Sequence, residues 1–388
     1  MSAANEVFNI EEHIKDFVTE ENKEEINVIV EEFKRGHFLN VLNKTKRFRE
    51  GHEVDKPLER ILLLLDATCH SQLGEGKRGA EIIMDLYKES EKNRQVPVTT
   101  TIDDLILYGN IAFMNDYKLA RRILSDAVNQ IEKQEDFDPM KAASTYLILG
   151  EAEEQLEKLV RATRYFEQGL AYFQKANEVD KHLIAFLHFK LGTLHSSLNK
   201  IDEAIEHLQK AMELAGELNN IEMKINSMVS LGRMYGTKKE YDKAGSYLKG
   251  ALPLLEGSTL ENKIAHAEAY TELAYNCFDQ SQLDEAVPYY EKAINIHLNL
   301  PRYSSRELGM ILMQYAYCLE HKENPDKTAA GKNYEKAIEE LEKTNDDDLL
   351  ENALADIIAF FESTKNGKKK RFYENKFVKL TNDRMNKI

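Results

Sequence analysis

Small and large apolar residues recur along this chain at helical spacing and with a fixed period. The small residue that anchors each recurrence is found at Gly109, Gly150, Gly192, Gly232, Ala274 and Ala316. Successive anchors are 41, 42, 40, 42 and 42 residues apart. A fixed period of this size is typical of repeat architectures built from one supersecondary unit.

A second set of positions follows each anchor by 11 to 14 residues, and its members lie at i, i+4 and i+7. The first members are Ala120, Ala162, Ala204, Ala244, Ala286 and Ala330. The second members are large, namely Leu124, Phe166, Leu208, Leu248, Tyr290 and Tyr334, and the third are small again. Such spacing places all three on one helical face. The pattern therefore predicts two helices per repeat, with the large residue filling the gap beside the small anchor.

A single helix pair cannot bury this face, so the pairs must stack on their neighbours. We therefore expect an all-α protein made of stacked antiparallel helix pairs. Strand signals are nearly absent from the sequence.

The repeat resembles the tetratricopeptide repeat (TPR). Leu231-Gly232-Arg233-Met234-Tyr235, followed by Ala244, Leu248 and Ala251, is similar to the TPR pattern L-G-x-x-Y…A-x-x-x-F-x-x-A. The common TPR period is about 34 residues, whereas here it is near 42. The chain looks more like the long-repeat subtype of kinesin light chains, LGN/Pins-type modulators and bacterial Rap-type peptide receptors. The resemblance implies a right-handed α-solenoid, a TPR-like superhelix.

Three regions differ in how regular the repeats are. Residues 1–100 contain degenerate repeats, residues 101–345 form the regular array, and residues 346–388 are expected to be capping helices. We predict this division of the chain into domains.

Composition narrows the possible partners and compartments. The net charge of −15 disfavours nucleic acid, because such binding depends on Lys and Arg neutralising phosphates. Cys69, Cys277 and Cys318 are far apart, and the last two read as buried small hydrophobes. Sparse cysteines fit a reducing compartment. No signal peptide is visible, and Ile61–Leu65 is far too short to span a membrane. We expect a cytoplasmic protein with no membrane partner, a nuclear location being the alternative.

The resemblance to TPR proteins also indicates where a ligand would bind. In that family the first helices line a concave groove, and counting from each anchor identifies the inward positions. On this chain they include Asn110, Phe113, Glu151, Phe189, Thr193, Arg233, Tyr275, Phe278 and Tyr317. An apolar and aromatic groove with a few polar points suits an extended or helical peptide. The alternative is that the longer helices curl the array and bury many of these residues.

One specialised TPR function is not expected. The carboxylate clamp for chaperone C-termini requires Lys-x-x-Gly-Asn in its first repeat. Gly109 and Asn110 are present, but Ile106 occupies the lysine position. Chaperone-tail binding is therefore disfavoured.

Other polar clusters have structural explanations that are simpler than a site. His182, His188 and His195 share a first helix, but metal ligands on a helix usually have closer spacing and more partners. We interpret His188 and His195, at positions 4 and 11 of the repeat, as packing residues.

Two charged clusters are treated in the same way. Lys368–Arg371 could be a nuclear import signal or an anion contact, but a solvated turn is the simpler interpretation. The carboxylates at 151, 153 and 154 read as solvated helix charge. Since no phosphate loop, G-x-S-x-G or H-E-x-x-H motif occurs, we expect no enzyme activity, cofactor or metal.

Three functional hypotheses follow. The first is a non-catalytic scaffold or adaptor that binds a peptide segment of a partner protein in its concave groove. The second is a peptide-responsive regulator of a signalling protein, resembling the Rap type. The third, RNA binding in the groove, is opposed by the acidic balance. The partner's identity and the oligomeric state stay open.

Overall fold

The computed structural model describes residues 8–92, 98–176 and 180–385, and the regular elements in these ranges are helices. The N-terminal helices are α1 (Ile10–Ile14), α2 (Lys23–Lys34), α3 (Phe38–Gly51), α4 (Lys56–Gln72) and α5 (Gly76–Lys92). Next come α6 (Val98–Phe113), α7 (Tyr117–Ile131), α8 (Pro139–Gln155), α9 (Leu159–Phe173) and α10 (Lys181–Ser197). The remainder are α11 (Ile201–Glu217), α12 (Ile221–Thr237), α13 (Tyr241–Leu255), α14 (Ile264–Asp279), α15 (Leu283–Asn299), α16 (Ser305–His321), α17 (Lys327–Leu341), α18 (Asp347–Ser363) and α19 (Gly367–Met385).

The chain divides into two compact units, residues 1–198 and 199–388. In the first unit, α4, α6 and α8 each pack against the helix that follows. In the second unit α11 packs against α12, and α12, α14, α16 and α18 each pair with the next helix. The protein is thus all-α and built from stacked helix pairs, as predicted. The three-part division at residues 100 and 345 follows repeat regularity rather than compactness and stays a prediction.

The helix starts are set by short polar residues. Asp138 accepts a hydrogen bond from the Met140 backbone N–H at 2.8 Å, and Pro139 occupies the first turn. Caps of the same kind precede other helices at Asp116, Asp180, Asn220, Ser304, Asp326 and Asp346. Such caps satisfy N–H groups that have no partner within the helix.

The turns between paired helices repeat with the period of the anchors. Seven residues after four of the anchors, a non-glycine residue has left-handed φ, between 58° and 61°: Glu157, Asn199, Lys239 and Ser281. At one of these turns the Glu240 N–H donates to the Tyr235 carbonyl at 2.9 Å, and the Lys239 N–H donates to that of Gly236 at 2.8 Å. These bonds close the helix C-terminus and reverse the chain.

The steric pattern predicted from the sequence is confirmed. A Cβ atom built on Gly150 would lie 2.7 Å from Phe166 Cδ1, and one on Gly109 or Gly232 would collide with Leu124 or Leu248. The predicted second-helix alanines are all fully buried. The small anchor therefore lets the two backbones approach until the large residue fills the space between them.

Several predicted packing residues are buried. His188 and His195 are 7% and 3% exposed, and Cys277 and Cys318 are 6% and 0% exposed. Burial raises the pKa of Cys318 to about 12, so its thiol is inert at neutral pH.

Two interpretations of charged residues were wrong. Glu153 is only 1% exposed rather than solvated, and its carboxylate lies 3.7 Å from Arg161. Residues 368–371 form the first turn of α19 rather than a loop, because the chain reverses before Gly367, at Lys365, where φ is 54°.

Candidate functional site

The nine predicted groove residues lie on first helices and keep part of their surface exposed. Arg233 on α12 and Tyr317 on α16 are the most open, each with 43% of its surface exposed. Five of the nine lie in the first unit and form the unit 1 patch: Asn110, Phe113, Glu151, Phe189 and Thr193. The other four form the unit 2 patch: Arg233, Tyr275, Phe278 and Tyr317.

The unit 2 patch is organised around one arginine. The Nε atom of Arg233 lies 2.5 Å from Oε1 of Glu272, and another of its nitrogens lies 3.6 Å from Oε2 of Glu268. Both glutamates belong to α14, one helical turn apart, so the arginine joins two successive first helices. Sequence reasoning had not selected either glutamate. Glu268 stands at an inward position by the same count from Ala274, so counting from the anchor could have identified it.

Two carboxylates and one guanidinium set the electrostatics of this patch. Burial raises the pKa of both Glu268 and Glu272, although the charge of Arg233 opposes the shift. Burial would also lower the pKa of Arg233, but Glu272 and Glu268 outweigh it and raise the pKa overall. Burial, with Glu272 and Glu307 nearby, raises the pKa of the Tyr275 hydroxyl. Two partly desolvated carboxylates thus share one guanidinium, which leaves acceptor capacity for another donor.

Aromatic rings continue the patch from α14 to α16. The rings of Phe278 and Tyr317 meet edge to face with centroids 5.6 Å apart, and Tyr317 stacks on His321 at 4.1 Å. Tyr275 points its ring at Tyr290, 6.0 Å away. The structure therefore brings all four predicted residues of this unit into one surface, where carboxylates adjoin an apolar wall. Such a surface can accept hydrogen bonds and pack an apolar side chain at the same time.

The unit 1 patch has a smaller charged group. Lys190 Nζ on α10 lies 2.8 Å from Oε2 of Glu154 on α8 and 5.7 Å from the centre of the Phe186 ring. Burial raises the pKa of Glu151, with Lys190 opposing the shift and Glu154 adding to it. Sequence reasoning missed this pair: Glu154 stands at an inward position by the count from Gly150, but Lys190 lies beside one rather than at it.

The predicted residues of unit 1 are less closely gathered. The Thr193 hydroxyl donates to the Lys190 carbonyl at 2.9 Å, so its own helix already engages it. Phe113 contacts Tyr117 at 5.2 Å, and the buried Oδ1 of Asn110 has no hydrogen-bond partner. In the described part of the chain, neither Asn110 nor Phe113 makes a hydrogen bond or ring contact with Glu151.

Within the described ranges, no three His, Cys, Asp or Glu side chains are grouped to hold a metal ion. The helices that the structure describes are too short or too polar to cross a membrane.

Comparison with known proteins identifies the repeat. The tetratricopeptide repeat family model matches residues 141–217 and 224–299. The transcriptional activator NprA of Geobacillus stearothermophilus is 24% identical over 167 residues, which is 42% of this chain and 41% of that protein. Response regulator aspartate phosphatase I of Bacillus subtilis (strain 168) is 26% identical over 148 residues, 38% of this chain and 35% of that protein. The chain thus matches less than half of the length of these curated relatives, 41% and 35%.

Solved structures share the fold over nearly the whole chain. The apo form of RapI has a TM-score of 0.62 at 14% identity, and the alignment covers 94% of this chain and 98% of RapI. The apo quorum sensor NprR from B. thuringiensis has a TM-score of 0.56 at 16% identity, and the alignment covers 96% of this chain and 99% of NprR. Together with the anchor spacing, the buried second-helix alanines and the repeated turn, these matches show that residues 141–217 and 224–299 are tetratricopeptide repeats and that the chain shares the fold of RapI and NprR.

Proposed function

We propose that this protein is a non-catalytic binding protein whose first-helix faces hold a peptide segment of a partner protein. The observation that carries the proposal is the unit 2 patch. Three successive first helices there partly expose Arg233, Tyr275 and Tyr317; Arg233 contacts the carboxylates of Glu268 and Glu272, and Tyr317 packs on Phe278. Partly exposed rings near partly desolvated carboxylates are typical of a binding surface.

A peptide would use the two halves of this patch differently. Its N–H or cationic groups would donate to the carboxylate oxygens of Glu268 and Glu272 that Arg233 does not engage. An apolar side chain would pack on the Phe278 and Tyr317 rings. Main-chain and side-chain anchors of this kind are how helical-repeat grooves hold extended or helical segments.

A second candidate is a peptide-responsive regulator of a signalling protein. The curated relatives favour it, since one is named a transcriptional activator and the other a response regulator aspartate phosphatase. In this version residues 1–100 act on the signalling protein, and a short peptide on the regular repeats switches them. Both versions place the protein in the cytoplasm, and the bacterial relatives lend no support to a nuclear location.

A matched pair of variants tests the proposal. Arg233→Glu with Tyr317→Ala alters two exposed patch residues. Lys249→Glu with Tyr247→Ala also reverses one positive charge and removes one tyrosine ring, but on the second helix α13. Proteins that co-purify with the unchanged chain are quantified by mass spectrometry for each variant, and thermal unfolding confirms that both variants fold.

We expect the patch variant to lose a specific protein that the α13 variant retains. A synthetic peptide from that protein should then bind the unchanged chain and not the patch variant. Equal retention by both variants would contradict the proposal. Compaction in small-angle scattering on adding the peptide would favour the regulator, and an unchanged radius would favour the scaffold.

A further inference from the structure

The inward side of α4 is covered, unlike that of the first helices that follow it. The small anchor of this helix is Ala67, which lies 42 residues before Gly109 and seven before Gly74, where φ is 77°. The position after the anchor is at least partly exposed in the six regular repeats, at Asn110, Glu151, Thr193, Arg233, Tyr275 and Tyr317. In α4 this position is Thr68, which is 0% exposed. Another part of the chain therefore lies over the side of α4 that a ligand would use.

The α4 face consists of Ile61, Leu64 and Thr68, which stand at successive inward positions by the count from the anchor. Ile61 and Leu64 are 4% and 0% exposed. The Thr68 hydroxyl donates to the Leu64 carbonyl at 2.8 Å, so its own helix satisfies it. The face thus offers apolar surface with no unsatisfied hydroxyl, and an apolar segment is the cover that suits it.

Residues 8–17 are the part of the chain that provides this cover. Among the described helices, α4 packs most extensively on α1, α3, α5 and α6, and the last three are its neighbours in the array. The first, α1, belongs to no helix pair. Phe8, Ile10 and Ile14 are 0%, 0% and 2% exposed and join the same apolar core as Ile61 and Leu64. A segment outside the repeat pattern thus buries three large side chains.

Charged groups place this segment across two first helices. Arg60 of α4 lies 2.6 Å from Asp104 of α6. Both act on His13, since burial lowers the pKa of this histidine, Arg60 adds to the shift and Asp104 opposes it. The His13 ring in turn stacks on Phe8 with centroids 5.1 Å apart. Residues 8–17 therefore lie where α4 meets α6.

The segment is held mainly by its apolar side chains. Its helix α1 has five residues, and a helix this short depends on tertiary packing. Glu11 pairs with Lys34 of α2 at 2.5 Å, but Glu11 is 58% exposed, so the pair adds little. The turn that follows is closed by Asn22, which accepts from the Thr19 N–H at 2.7 Å and donates to the Phe17 carbonyl at 3.0 Å. This is the arrangement of a short bound peptide on a tether.

We propose that the α4 face is a docking site for a short apolar segment, and that residues 8–17 are its ligand within the same chain. The anchors are Phe8, Ile10 and Ile14, with exposed acidic residues between them. While the segment is docked, the inward surface open to a partner in unit 1 begins at α6, and its release adds α4. The proposal rests on the proposed function in treating inward first-helix sides as binding surfaces, and it supplies a control over how many are available.

A peptide supplied in trans tests the assignment. Ile10→Gln with Ile14→Gln removes two anchors at constant net charge, and this is the anchor variant. Glu12→Gln with Lys15→Gln is the control, because it places two glutamines at exposed positions of the same segment, also at constant net charge. Fluorescence anisotropy measures binding of a labelled peptide with the sequence of residues 8–18. The anchor variant should bind it at least about tenfold more tightly than the control or the unchanged chain, where the docked segment competes at high effective concentration.

A photoreactive group at the Phe8 position of the peptide locates the site. Its cross-links to the anchor variant should map to α4 and the adjoining α6, and a peptide with glutamine in place of Ile10 and Ile14 should not bind. Three results would overturn the proposal: cross-links confined to other helices, equal binding to the anchor variant and the unchanged chain, or no binding to a folded anchor variant.

Circular dichroism and thermal unfolding establish whether each variant folds. If the anchor variant has lost cooperative unfolding, Ile14→Ala alone replaces it, and a smaller gain in peptide binding is expected because one anchor is only shortened. If that variant is unfolded as well, residues 8–17 are part of the core rather than a ligand, and the proposal fails. The assay contains no partner protein, so its failure leaves the unit 2 patch unaffected. Equal partner retention by the Arg233 and Tyr317 variant would likewise leave the peptide result intact.

Discussion

Arg233 on α12 bonds Glu272 on α14 with its Nε atom 2.5 Å from the carboxylate Oε1. The two residues are 39 positions apart in sequence and belong to successive repeats. Glu272 keeps only 15% of its side chain exposed, whereas Arg233 keeps 43%. The pair therefore joins two first helices at the surface proposed for binding.

Replacing Arg233 by methionine should destabilise the protein by about 1 kcal/mol, since Glu272 loses its partner while largely desolvated and water screens only part of the loss. Adding Glu272→Gln should recover part of that loss. Urea unfolding of the single and double variants measures the coupling. Lys238→Met is the control, because that lysine pairs with Asp202, whose side chain is 81% exposed. An Arg233 variant as stable as the Lys238 variant would argue against this account.

Two glycines on α12 should respond to alanine in opposite directions. A Cβ at Gly232 would collide with the buried Leu248, whereas one at Gly236 would meet nothing within 4 Å. We expect Gly232→Ala to destabilise by about 1–3 kcal/mol through overpacking. Gly236→Ala should stabilise by up to about 1 kcal/mol, because alanine favours the helix. Thermal and urea unfolding give the signs, and a stabilising change at both positions would refute the steric role of the anchor.

His297 predicts a dependence of stability on pH. It is 2% exposed, and burial lowers its pKa below 6.5, with Glu307 opposing the shift. The unfolded chain therefore takes up the proton first as the pH falls. The histidine has no effect on stability well above pH 6.5 and becomes increasingly destabilising as the pH drops through 6.5 towards its lowered folded pKa.

Comparing His297→Gln with the unchanged chain at about pH 7.5 and 5.5 isolates this effect. The difference in unfolding free energy between the two proteins should move in favour of the variant at the lower pH. His182→Gln, at an exposed position, should show no such movement. The same behaviour in both variants would mean that burial of His297 is not the cause.

Much of the fold could be predicted because its contacts are local and repeated. The anchor spacing identified the helix pairs, and the built contacts at Gly109, Gly150 and Gly232 confirmed the packing between them. Burial of His195 and Cys318 followed from their positions in the repeat. The turn conformation at Glu157, Lys239 and Ser281 could not be foreseen, because their residue types do not favour a left-handed φ.

Only part of the candidate site could be predicted from the sequence. The resemblance to TPR proteins selected Arg233 and Tyr275 on the first-helix face, since it assigns inward positions by counting along one helix from the anchor. It could not select Glu272 or the Lys190–Glu154 pair. These contacts join residues 39 and 36 positions apart, and they depend on the lateral offset between neighbouring first helices and on side-chain rotamers.

The sequence by itself determined the repeat, its period and the residues that lock each helix pair together, because those interactions act within one repeat. Only the tertiary structure decided which charges meet across repeats and which are left unpaired. The cations of α19 show this, since one helix pairs four of them with its own unit and leaves three exposed. The physical reason is that hydrophobic burial follows a periodic pattern, whereas an ion pair requires two particular atoms to meet within a few ångströms.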